Sequence, residues 1–323
     1  SWTVPDIPLA FGTNVITVRG TNEDGVAATD SVIVTRRIDA GDGSPFHYVW
    51  TNSPVETWPY TNWATAAHTI QQALDAAWSN DTVLVTNGVY DSGGTVLHGQ
   101  NFTNRIAITK NVVVQGVNGP TNTFIVGASD NGTNGPLAVR CVWISEGLLT
   151  GFTITNGHTQ TTGDWTYYQR GGGVFLDHGG TVSNCVISGN SANITGGGVD
   201  FQYGGLVVDC RIEGNMTTLN YGGAGASLHT GALLDRCIVR GNTAAGTGGD
   251  GGGLYFYSGG IARNCLIVGN TANDAGGGLY VRSTATNALV ESCTVVSNAA
   301  AQGGGAYQHW CTNINSIIYG NTA

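Results

Sequence analysis

A unit of 25 to 28 residues returns six times between Gly171 and Ala323, reading roughly G-G-G-[VL]-x-[FL], a short turn, then N-C-x-[IV]-x-G-N-x-A. The third position of the triplet falls at Gly173, Gly198, Gly225, Gly253, Gly278 and Gly305. A repeat of that length cannot bury a core by itself; copies must stack, so the chain is a solenoid.

The registration inside the unit is tighter than its period. Gly173, Gly198, Gly225 and Gly253 are each followed twelve residues later by a cysteine, at Cys185, Cys210, Cys237 and Cys265. Gly278 reaches Cys293 after fifteen residues, and Gly305 reaches Ser316 after eleven. Five residues beyond each comes an asparagine: Asn190, Asn215, Asn242, Asn270, Asn298 and Asn321. A fixed strand-to-turn distance with variable loops fits stacked coils with rigid strands. Triplets such as Cys185-Val186-Ile187 and Cys237-Ile238-Val239 place cysteine and an aliphatic residue on one face. The segments are too short and glycine-rich for helices.

Asparagine tolerates the left-handed conformation of a sharp corner, and stacked coils would let each side-chain amide bond the next in a ladder. No G-K-[ST] follows the glycine triplets, so they mark bends and not a phosphate cradle. The five aligned cysteines are expected as an inward row of small buried side chains. Stacking in parallel hinders bridging between them. No C-x-x-C pair and no histidine at ligand spacing points to a metal. Cys141 and Cys311 lie outside the row.

The best single instance of the repeat is Ile267-Val268-Gly269-Asn270-Thr271-Ala272 followed by Gly276-Gly277-Gly278-Leu279-Tyr280. It resembles the right-handed parallel β-helix repeats of bacterial surface proteins. It is similar in particular to the G-G-A-[IL] and F-x-x-N repeats of chlamydial polymorphic outer-membrane proteins. The resemblance spans about residues 80–323 and implies an all-β, right-handed, single-stranded parallel β-helix. That fold hosts pectate lyases, polygalacturonases and non-catalytic adhesins alike, so function must be argued from the site.

Upstream the coils are less regular. Asp81–Tyr90 reads as a first strand and turn, Ile106–Gly116 and Leu148–Gly157 as further coils, with Phe152 in the cysteine position. The β-helix is assigned to residues 81–323. Residues 38–80 read as a linker (Asp39–Pro45) and an amphipathic helix within Ala66–Ser79, with Ile70, Leu74, Ala77 and Trp78 on its apolar face. Such a helix would cap the open end of the solenoid. Residues 1–37 suggest an immunoglobulin-like strand pair, Leu9–Val18 and Ala27–Thr35, too small to stand alone as a sandwich. It reads as part of a module or as docking strands.

Lysine occurs once, at Lys110, and the net charge is −9, with no basic stripe for nucleic acid. No apolar run is long enough for a membrane span. The chain starts at Ser1 with its single methionine at Met216, which reads as a mature or excised piece of a secreted or cell-surface bacterial protein, its polypeptide expected to continue past Ala323 or another molecule to cover that end.

The second residue after each triplet should point away from the core. That column reads Phe175, Asp200, Ser227, Tyr255, Tyr280 and Tyr307; its neighbour reads Asp177, Gln202, His229, Tyr257, Arg282 and His309. Aromatic faces stack on sugar rings while polar groups orient hydroxyls, so Asp200, His229, Tyr255, Tyr257, Tyr280, Arg282, Tyr307 and His309 are the candidate ligand-binding residues. The loop Asp164–Arg170 is long enough to overhang them. Asp177 and Asp200, on adjacent coils, are the candidate catalytic pair, since an inverting glycosidase needs carboxyls about 6.5–9.5 Å apart. The three-aspartate cluster of polygalacturonases is missing, and Arg282 lies about 14 Å from Asp200 at roughly 4.8 Å per coil, too far for a lyase-like Ca²⁺ site. No cofactor is expected, Ca²⁺ being the one left open. Asp250 reads as a turn residue.

Two readings follow. One is a structural or adhesive β-helix that presents a rigid face to a glycan or cell-surface partner, or joins copies of itself end to end. The other is a polysaccharide-binding module or a polysaccharide lyase or glycoside hydrolase.

Overall fold

The computed structural model describes residues 7–8, 12–21, 24–25, 27–36 and 45–323. The expected linker at residues 39–44 and the strand start at residues 9–11 lie outside the described residues. The chain divides into two compact units, Ser1–Ser44 and Pro45–Ala323. In the first, Gly12–Thr21 pairs antiparallel with Ala27–Arg36, with Thr17 opposite Ser31 and their hydroxyls 3.0 Å apart.

The second unit is a parallel β-helix. Three long sheets of nine, ten and nine strands run its length, joined by a short fourth sheet of four. One sheet holds the strands after the glycine triplets: Val174–Leu176, Val199–Phe201, Ala226–Leu228, Leu254–Phe256, Leu279–Val281 and Ala306–Gln308. We call it the triplet sheet. Its earlier members are Thr103–Ile108 and Val139–Ile144, with Thr95–Val96 added antiparallel at the end. The cysteine sheet carries Val186–Ser188, Arg211–Glu213, Ile238–Arg240, Leu266–Val268, Thr294–Val296 and Ile317–Tyr319. Equivalent residues are strand partners throughout, as in Ile187↔Ile212, Val239↔Ile267 and Tyr255↔Tyr280. The solenoid begins earlier than position 81: Phe46–Val49 pairs in parallel with Thr82–Val85 and opens the ten-stranded sheet.

Alternation sorts side chains between the shaft and the outside. Leu254 and Phe256 of one triplet strand, Leu279 and Val281 of the next, Ile267 and Val295 of the cysteine sheet, and Leu234 and Val290 of the middle sheet form one continuous core. Each such aliphatic residue contributes about 1.5–3 kcal/mol by leaving water. Cys185, Cys210, Cys237, Cys265 and Cys293 are free, buried and part of this core. The Cys185 amide donates to the Cys210 sulfur at 3.4 Å, so adjacent thiols sit on top of one another.

The helix spans Ile70–Ala76 with a capping box between Thr69 and Gln72. Ile70, Leu74 and Ala77 are buried as expected, whereas Trp78 is 38% exposed. The helix packs on Phe46–Val49, Thr82–Val85 and Thr103–Ile108. Lys110, the one lysine, donates to the carbonyls of Leu74 and Ala77 at 2.7 and 2.6 Å and so closes the helix C-terminus.

The three triplet positions do different work. The first (Gly171, Gly196, Gly223, Gly251, Gly276, Gly303) has φ between +56° and +67°, where side chains are disfavoured. The third faces the asparagine row: a Cβ on Gly253 would stand 2.5 Å from the Gly278 carbonyl oxygen and 3.0 Å from Nδ2 of Asn270. The ladder itself is present, each amide donating to the next at 2.9–3.0 Å from Asn190 through Asn321. One expectation is corrected. The ladder asparagines do not occupy the left-handed corner. That conformation belongs to the residue before each (Gly189, Gly214, Gly241, Gly269, Ser297, Gly320) and to the residue before each cysteine or its Ser316 counterpart (Asn184, Asp209, Arg236, Asn264, Ser292, Asn315). The ladder positions from Asn190 to Asn298 are buried inside the bend, where an amide with two donors and two acceptor sites can be fully satisfied.

Candidate functional site

The outer face of the triplet sheet carries the candidate residues in the register the repeat implies. Phe175 pairs with Asp200, Asp200 with Ser227, Ser227 with Tyr255, Tyr255 with Tyr280 and Tyr280 with Tyr307. The column turns away from the shaft but is not open along its length. Phe175, Asp200, Ser227 and Tyr255 are buried, and solvent reaches the row only from Tyr280 onward.

The cover is the Asp164–Arg170 loop. The Tyr167 ring packs against Trp143 and Phe175, with centroids 5.7 and 6.1 Å away, and Trp143 stacks on Phe175 at 4.7 Å. Trp165 meets the Tyr221 ring edge-on at 5.7 Å. Beneath the loop, Arg140 is fully buried and all three of its guanidinium nitrogens are bonded: it donates to Gly171 O, Asn104 Oδ1, Tyr167 O and Arg170 O at 2.6–2.8 Å. Burial draws its pKa down to about 9 against the opposing pull of Asp200 and Asp177. Arg140 thus acts as a bolt that fixes the loop to the sheet.

Burial changes the reading of the two carboxylates. Asp200 is completely buried, with Oδ2 accepting the Thr195 hydroxyl at 2.6 Å and Oδ1 unpartnered. Asp177 is half-buried and its Oδ2 lies 3.2 Å from His178 Nδ1. Of the two, only Asp177 reaches solvent; Asp200 is closed off from it. Among the described residues no three His, Cys, Asp or Glu side chains gather at one metal-sized point.

The aromatic row is corrected in a second respect. Tyr255, Tyr280 and Tyr307 stack on one another, at 5.3 and 5.4 Å with interplanar angles of 6° and 3°. The faces between them are already occupied, so the rings offer edges and hydroxyls outward instead of a platform for sugars. His309 packs edge-on to Tyr280 and Tyr307 at 6.5 and 5.6 Å.

The neighbouring column holds the densest chemistry. The His229 ring stacks on Tyr257 at 4.6 Å and 11°. Two guanidinium groups sit over the Tyr257 ring, Arg282 at 4.7 Å and Arg170 at 5.2 Å. Arg170, buried, donates from Nη1 to Gln202 Oε1 at 3.0 Å, while its Nε has no partner. His229 Nε2 and Ser227 Oγ are likewise buried and unpartnered. Burial, helped by Arg170 and opposed by Asp200, pushes the His229 pKa down, so the imidazole is neutral at pH 7. Burial alone would raise the Tyr257 phenol, but Arg282 and Arg170 outweigh it and hold the group below its ordinary value. Of the candidates, the structure therefore gathers His229, Tyr257 and Arg282 tightly, places Tyr280, Tyr307 and His309 along the same face, and seals Asp200 and Tyr255 away.

Sequence reasoning missed Arg140 and Arg170 as parts of this face. Arg170, directly before the first triplet in a chain with only 12 Lys and Arg residues, was the available signal; nothing in the repeat points to Arg140.

No family model matches the chain, and no curated protein matches it. Among solved structures it is similar to the crystal structure of pectate lyase Pel9A, at 12% identity and a TM-score of 0.49, covering 86% of this chain and 78% of that one.

Proposed function

We propose that this protein is a rigid β-helix scaffold whose triplet-sheet face binds a glycan without turning it over, at a secreted or cell-surface location. The observation that carries the reading is the gathering of His229, Tyr257 and Arg282 from successive coils, with Tyr280, Tyr307 and His309 continuing the same face. A continuous core and a hydrogen-bonded amide ladder keep such a face straight without ligand. Among the described residues no helix is long and apolar enough to cross a membrane. The repeats' resemblance to bacterial surface proteins belongs with this reading.

Binding without catalysis is favoured by the burial of Asp200. A panel of acidic and neutral polysaccharides, scored for retention on the protein and for new reducing ends or unsaturated products, tests it. Retention with no product is the expected result. Product formation that disappears in Asp200→Asn would overturn the non-catalytic reading, and absence of retention on every polysaccharide would overturn glycan binding itself.

A further inference from the structure

We infer that Arg170 and Arg282, both set over the Tyr257 ring, form an anion site that takes the acidic group of a charged sugar. The inference rests on the glycan-binding reading and adds the chemical class of its ligand.

Two buried arginines, Arg140 and Arg170, differ in how their guanidinium groups are met. Arg140 has each of its three guanidinium nitrogens bonded to an oxygen acceptor. Arg170, 4% exposed, donates to Gln202, faces the Tyr257 hydroxyl, and has an orphaned Nε. Among the described residues neither Arg170 nor Arg282 has a carboxylate within ion-pair distance. Leaving a buried guanidinium short of acceptors is costly, and a fold with carboxylates close by could have paired it. Asp200 instead takes the Thr195 hydroxyl, and Asp177 faces His178.

The local charge also has room for an anion. Asp177 and Asp200 act on Arg140, and Asp200 also on His229, but neither is paired with Arg170 or Arg282 beside Tyr257. His229, stacked on the same ring, adds no charge at pH 7 but brings a buried, unpartnered Nε2. The remaining acids on this face, Asp250 and Asp274, act on Tyr255 and Tyr280 of the same two coils as Tyr257 and Arg282 and are not within ion-pair distance of either arginine. Planar guanidinium forks match carboxylate and sulfate oxygens in pairs, and the Tyr257 hydroxyl offers a further donor. Tyr280 and Tyr307 would then present hydroxyl edges to the next sugars of the chain.

Titration calorimetry on the full chain distinguishes the outcomes, with oligogalacturonate, its fully methyl-esterified counterpart and a sulfated glucan as probes. Oligogalacturonate or the sulfated glucan is expected to bind at least tenfold more tightly than the ester, and the stronger of the two identifies carboxylate or sulfate as the anion. Arg282→Gln, on the half-exposed arginine, is expected to remove that preference, and Arg282→Lys to restore only part of it because the fork is lost. Equal binding of acid, sulfate and ester would overturn the anion site while leaving glycan binding intact. An undiminished preference in Arg282→Gln would do the same. If none of the three binds, glycan binding falls with it.

Discussion

The Oδ1 atom of Asn270 accepts two hydrogen bonds from Asn242, one from its main-chain N–H at 3.0 Å and one from Nδ2 at 2.9 Å. The remaining Nδ2 hydrogen of Asn242 goes to Ile212 O at 3.0 Å, in the coil behind. One side chain therefore ties three successive coils, and it does so in the interior, where water cannot substitute.

Asn242→Ala is expected to cost about 3–5 kcal/mol, because it strands the Asn215 amide N–H, one Asn215 Nδ2 hydrogen and the Ile212 carbonyl in a buried bend. Asn321→Ala, at the better-solvated last rung, is expected to cost only about 1–2 kcal/mol. Urea unfolding followed by far-ultraviolet dichroism measures both. Equal losses at the two positions would mean that the ladder is incidental to stability.

Two glycines separate crowding from backbone strain. Gly269 has φ +64° and open space around a hypothetical Cβ, so Gly269→Ala is expected to cost about 1–2 kcal/mol from the left-handed conformation alone. Gly269→Asn should recover most of that. Gly253→Ala drives a methyl into the Gly278 carbonyl and the Asn270 amide, so a loss of about 3 kcal/mol or more is expected, with no relief from Asn. Thermal unfolding of the four variants together reads the contrast; relief of the Gly253 defect by Asn would contradict it.

The repeat made the rows legible because strand, turn and cysteine lie within a few residues of one another, and stacking converts a fixed spacing into a column. Ile187 over Ile212 and Asn242 over Asn270 follow from that alone. What covers a column is another matter. The Tyr167 ring that seals Phe175, and the Arg140 that holds the loop down, lie outside the period, so nothing in the repeat reports on them. The mutual stacking of Tyr255, Tyr280 and Tyr307 was hidden for a related reason. Strand spacing of about 4.8 Å is close to ring-stacking distance, so equivalent aromatics on neighbouring coils take one another as partners before any ligand can.

Asp250 is expected to make the fold less stable as pH rises. Burial, with Asp274 adding, lifts its pKa from 3.8 to about 7, and Oδ1 has no partner. The folded state holds this proton more tightly than the unfolded chain, so the stabilisation is fully present below pH about 4 and is lost between there and about 7. Asp250→Asn should match the parent protein at pH 4 and exceed it at pH 8 by about 1–2 kcal/mol, the charge being partly screened by solvent. Tm measured across that range for both proteins checks the sign; a parent protein more stable at pH 8 than the variant would refute it.

Tyr257 carries the electrostatic signature of its two arginines. Phenols move up on burial, as Tyr255 and Tyr280 do on the same sheet, yet Tyr257 moves down because Arg282 and Arg170 favour its phenolate. In an ultraviolet titration, the difference between the parent protein and Tyr257→Phe is expected to show one phenol ionising below the ordinary tyrosine range. Arg282→Gln should shift that same transition upward, since one of the two flanking cations is gone while the stacked His229 is untouched. High salt should shift it upward less than the substitution does, because Arg170 is buried and poorly screened. A Tyr257 transition that stays put in Arg282→Gln would mean that the two groups are too far apart in solution to share an anion.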